Sequence, residues 1–144
     1  MKNIDITTCT VQEACDYAVQ QLVKQGKPCI AYADTCAYGD GQGNHCAIGW
    51  LLDHNNKELM DAEGPLESLI LCYGARIPRI IKDNRSVFRD LQIIHDSAAA
   101  DDLNFEVTKK ALVNKNIDIS GPHWTAWFSI VKQMRDARKQ EEDA

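Results

Sequence analysis

The chain has 144 residues, the usual size of one domain, and carries a net charge of -5. With 44% apolar and 26% charged residues it can build a packed core, which excludes wholesale disorder and a fibrous repeat. The acidic balance weighs against a nucleic-acid partner, because gripping a phosphate backbone needs a basic surface. No stretch approaches the roughly eighteen apolar residues of a membrane span, so no membrane contact is expected. Met1-Lys2-Asn3-Ile4-Asp5 does not read as a signal peptide. The expected location is cytoplasmic, with free thiols.

Thr10-Val11-Gln12-Glu13 is a capping box, in which a hydroxyl and a carboxylate satisfy the first free amides of a helix reciprocally. Val11, Ala14, Cys15, Ala18 and Leu22 follow at helical spacing, and Gly26 and Pro28 stop the run. This predicts a helix over about 11–25.

Cys29 to Ala33 is short, apolar and partly aromatic, and Cys36-Ala37-Tyr38 follows it. After the turn Gly39-Asp40-Gly41-Gln42-Gly43-Asn44 comes the apolar run Cys46 to Leu52. Two apolar runs around a Gly/Asp/Asn turn predict a β-hairpin that pairs Cys36 with Cys46. A helix starting near His45 is the competing reading. Asp53 to Glu63 reads as loop with one helical turn, and Pro65 to Gly74 as a short helix. Ile77-Pro78 marks a break. Val87, Phe88, Leu91, Ile94, His95 and Ala98 form a strong helical stripe, capped by Asn84 or Ser86. A helix from Asp101 or Asp102 runs through Leu112. Gly121-Pro122 opens the last helix, with Trp124, Trp127, Phe128, Val131 and Met134 on one face and a charged, fraying tail at about 135–144. The expected fold class is α+β, a single mostly helical domain over 1–144 with one small β-hairpin or sheet.

The glycine-rich turn is not a phosphate loop. No Lys follows it, and Asn44 stands where a dinucleotide fingerprint needs a third Gly. Leu51 occupies the place of a calcium loop's closing Glu. The cysteines lack C-x2-C spacing and the histidines lack H-x3-5-H, so no metal site and no cofactor are expected. Cys46 with His95 is the one arrangement that suggests nucleophilic catalysis, since a thiol needs a base to become thiolate. Asp96 is adjacent to His95, and successive helical side chains diverge by about 100°, so it is not expected to orient that ring. A half-buried, structural His95 is the favoured reading.

Arg76, Arg79, Arg85 and Arg89 are the basic concentration of an acidic chain. Arginine suits planar, bidentate contact with phosphate or carboxylate. These four residues are the candidate ligand site, with Tyr38, Trp50 and Tyr73 as platforms for stacking on a base. A solvated basic face is the bland alternative. The expected partner is an anionic small molecule or a host protein, and self-association stays open.

The motif Cys36-Ala37-Tyr38, a glycine turn, Cys46-Ala47-Ile48-Gly49-Trp50-Leu51-Leu52, then Glu63-Gly64 and Leu91-Gln92-Ile93-Ile94-His95-Asp96 resembles a loose group of small uncharacterised proteins of bacteriophages and prophages. That group reads C-x-Y, a short turn, C-A-I/V-G-x-L-I/L, E-G and L-Q-x-x-H-D. The likeness covers about residues 11–98. It implies a phage origin, the host cytoplasm as site of action, and an accessory role. Such a role would counter host defence by sequestering a nucleotide-like signal or blocking a host protein. A small cysteine-dependent enzyme using Cys46 and His95 is the alternative.

Overall fold

The computed structural model describes residues 4–27, 29, 38–97 and 105–143. Seven helices stand among them: α1 (Val11–Gln25), α2 (Lys57–Asp61), α3 (Leu66–Tyr73), α4 (Arg79–Asp83), α5 (Arg85–Asp96), α6 (Phe105–Asn114) and α7 (Pro122–Asp143). One-turn 3-10 helices lie at Gly49–Leu51 and Gly74–Arg76.

The N-terminal helix starts and stops where its sequence says. The Thr10 hydroxyl accepts from the Glu13 amide, and the Glu13 carboxylate accepts from the Thr10 amide. Gly26 ends it in the left-handed region at φ 78°. Its apolar face, Ala14, Cys15, Ala18, Val19 and Leu22, is buried and packs on α7, which buries Trp124, Trp127 and Val131. α5 packs on α6 and on α3, burying Phe88, Leu91 and Ile94. α7 stays helical to Asp143, where a frayed tail was expected from its charge.

The fold class is a correction. The structure is mostly helical, with no sheet among the described residues, and the expected α+β class with a β-hairpin does not form. The run from Cys46 to Leu52 is a turn and a 3-10 helix. The Trp50 amide donates to the Cys46 carbonyl, Leu51 to Ile48 and Leu52 to Gly49. Four consecutive residues, Cys46 to Gly49, are buried, whereas a half-exposed hairpin strand would alternate. Tyr38 and Gly39 do not pair with this run either. Their amides donate to the carbonyls of Ala62 and Met60, at the end of α2. The glycine turn closes on itself through an isolated antiparallel bridge between Gly39 and His45. Cys36, the other half of the expected thiol pair, lies outside the described residues, as do 101–104 at the expected start of α6.

Two smaller expectations also change. Asn84 stands at the start of α5, but its side-chain amide donates back to the Ile80 carbonyl and does not cap the helix. After the break at Ile77-Pro78 no helix was expected before the stripe from Val87, but Arg79–Asp83 forms the helical turn α4.

Candidate functional site

The corner between α3 and α4 is built by two buried isoleucines. Ile77 and Ile81 point into the core, so Arg76 and Arg79 are left facing outward. The Lys82 ammonium donates to the Gly74 carbonyl at 2.8 Å and locks the corner. Across from it runs the segment before α1. Together they enclose a groove of about 610 Å³, with Ile6, Thr7 and Cys9 on one wall and Arg76, Pro78 and Arg79 on the other. This is within the usual size of a small-molecule site, roughly 300–1,000 Å³. Ile6, Ile77, Pro78 and Ile80 supply apolar lining, and the guanidiniums supply positive charge. Each guanidinium meets a solvent-exposed carboxylate: Arg76 meets Glu58 at 3.5 Å and Arg79 meets Asp83 at 3.3 Å. Such exposed pairs hold weakly.

The other expected site residues do not join this groove. Arg85 donates to the Lys82 carbonyl at 3.2 Å, and Arg89 pairs with Glu67 on α3. The Val87 and Phe88 amides both donate to the Asn84 carbonyl, so neither is free to meet an anion at the start of α5. Tyr38 is buried, with its hydroxyl donating to the Gly64 carbonyl, so it is no stacking platform. Trp50 belongs to a different cluster: its indole N–H donates to Gln25 at the end of α1. Tyr73 packs partly buried against the core. The wall formed by Ile6, Thr7 and Cys9 was missed, because nothing local in that segment signals a contact about 70 residues downstream.

His95 and Cys46 are both interior. The ring of His95 is fully buried. Its Nε2 accepts the backbone N–H of Cys29 at 3.2 Å, and its Nδ1 lies 3.1 Å from Asp96 Oδ1. A backbone amide can only donate, so Nε2 carries the lone pair and Nδ1 the proton. Asp96 therefore does orient the ring, contrary to the expectation from helical divergence. Gln92 completes the network. Its amide donates to Asp96 and its carbonyl accepts from the Ile48 amide. The lone pair that a general base would use is already committed to Cys29. Burial pushes the Cys46 thiol well up, and its sulfur accepts the Gly49 amide at 3.3 Å. Burial, with Asp40 adding, also pushes Cys29 up to about 11. Neither thiol is an activated nucleophile. Among the described residues no group of three His, Cys, Asp or Glu side chains is placed to hold a metal ion.

No protein-family model, no curated protein and no solved structure matches this chain. Among the described residues no helix is long and apolar enough to cross a membrane.

Proposed function

We propose that this chain is a non-catalytic binding protein of bacteriophage origin, which holds an anionic, nucleotide-like small molecule in the groove between Ile6–Cys9 and Arg76–Arg79. The observation that carries the reading is the meeting of Arg76 and Arg79 on one groove with an apolar lining. Guanidiniums recognise phosphate by paired N–H donors, and the apolar wall suits the base or sugar face of the same ligand. The phage-like motif supports an accessory role in the host cytoplasm, where sequestering a signal needs affinity and no turnover. The inaccessible state of Cys46 and His95 supports the binder over a cysteine-dependent enzyme.

The test is a panel of mono- and cyclic nucleotides in a thermal-shift assay, followed by calorimetry on any hit. A ligand at a hundred times its Kd stabilises the chain by about 2.7 kcal/mol through mass action. Arg76→Glu combined with Arg79→Glu should abolish that shift without unfolding the protein, because both side chains are exposed. A panel that gives no shift, or a double variant that binds as before, removes the reading. Capture of a host protein that is lost in the same double variant would instead show that the groove serves a macromolecule.

A further inference from the structure

Two histidines that the proposed groove does not use flank the 3-10 helix Gly49–Leu51. His45 is buried, and its ring stacks on His54 with centroids 3.8 Å apart and planes 15° from parallel. Trp50 meets both rings edge-on, at 4.7 Å and 5.3 Å. Each imidazole is tied to a backbone carbonyl. His45 Nδ1 donates to Tyr38 at 3.1 Å, and His54 Nε2 donates to Gly49 at 3.0 Å. The two rings thus hold the start of the glycine turn against the 3-10 helix that follows it. An imidazole lone pair lies in its ring plane, so two rings stacked this closely cannot both aim a nitrogen at one metal ion.

We propose that the His45–His54 stack is an acid-sensitive clasp, closed while the buried His45 ring is neutral and released when that ring takes up a proton. Each carbonyl accepts from its ring in either protonation state, so the hydrogen bonds do not oppose protonation. The opposition comes from stacking two like charges face to face and from charging a buried ring. Among the described residues, the titratable groups acting on His45 are His54 and Asp40. The end of α1 presents Gln25 and α2 presents Met60, both uncharged. Burial first, then His54, hold the His45 ring below the ordinary histidine value, against the smaller opposing pull of the Tyr38 carbonyl and Asp40.

The sign follows from that direction. A ring that resists protonation when folded takes up its proton on opening. The clasp is therefore fully stable above about pH 6.5 and weakens as pH falls below it. The proposal does not depend on the ligand groove.

The experiment is hydrogen exchange on the full chain between pH 7.5 and 5, with the histidine rings followed by NMR. His45 should titrate below an ordinary histidine. Protection of the Asp40 and Trp50 amides, bonded to the Asn44 and Cys46 carbonyls within this segment, should fall about tenfold per pH unit between that ordinary value and the His45 midpoint. Amides of α1 and α7 should keep theirs. His54→Gln should raise the His45 midpoint and flatten the loss, and His54→Phe should do the same while preserving a stacked ring. An ordinary or raised His45 midpoint in the unaltered chain overturns the proposal. So does loss of protection shared equally with α1 and α7, or a His45 midpoint that neither folded variant moves.

Discussion

The backbone carbonyl of Tyr38 occupies the place where a β-carbon on residue 49 would stand, so Gly49 alone lets the two segments meet. The contact explains the glycine inside an otherwise apolar run. It also closes the glycine turn around a core of Tyr38, Cys46 and Ile48.

Gly49→Ala should therefore destabilise the protein by about 3 kcal/mol, at the upper end for an overpacked core, because the obstacle is backbone and cannot rotate away. Gly74→Ala is the control. Its backbone is already helical and nothing lies near the added methyl, so it should be neutral or slightly stabilising. Urea unfolding of both variants checks the pair. Equal midpoints would mean that the Tyr38–Gly49 contact is looser than described.

His95→Ala should cost about 2 kcal/mol, from the unpaired Cys29 amide and the lost packing. Gln92→Ala should cost a similar amount, because it frees the Ile48 amide and one donor to Asp96. The two changes share Asp96, so the double variant should lose less than the sum. Chemical unfolding of the four proteins in the cycle gives the coupling. Simple additivity would separate the residues into independent contacts.

Asp16→Ala should weaken the join between α1 and α7. One carboxylate oxygen accepts from Trp124 Nε1 at 2.8 Å, Gln12 Nε2 at 3.0 Å and His123 Nε2 at 3.1 Å. Losing it strands the indole N–H of a fully buried Trp124. The expected cost is about 2 kcal/mol, read as a lower melting temperature. An unchanged melting temperature would mean that packing alone holds the helices together.

Thiol labelling should rank the cysteines by burial. Cys72 is exposed on α3, whereas Cys15, Cys29 and Cys46 are buried. Burial, with Asp16 adding, pushes Cys15 up to about 12, and Cys29 rises to about 11. Two pKa units alone remove about a hundredfold of thiolate. Peptide mapping after brief alkylation at pH 8 should find Cys72 modified and the other three spared. Rapid labelling of Cys46 in the folded protein would revive a catalytic role for it.

Local chemistry was enough for α1, for the apolar stripe of α5 and for the start of α7. The Thr10–Glu13 box, the stop at Gly26 and the stripe through Val87, Leu91 and Ile94 all act within a few residues, so they read directly from sequence. The stripe also carried the inward position of His95, though not its partners. The segment from 38 to 52 was different. A short apolar run suits a strand or a buried turn equally, and only distant groups choose between them. Here Gln25 takes the His45 amide, Gln92 takes the Ile48 amide, and the Tyr38 carbonyl presses on Gly49. The arginines follow the same logic. Their sequence spacing shows a basic concentration, but Ile77 and Ile81 had to enter the core before Arg76 and Arg79 could share a groove. Arg85 and Arg89 stand on α5, where the burial of Val87, Phe88 and Leu91 turns them to another face. The capping box, helix stop and apolar stripes of α1 and α5 are short-range features, so they are already written in the local residues. The turn and the shared groove were decided by tertiary contacts between residues far apart along the chain.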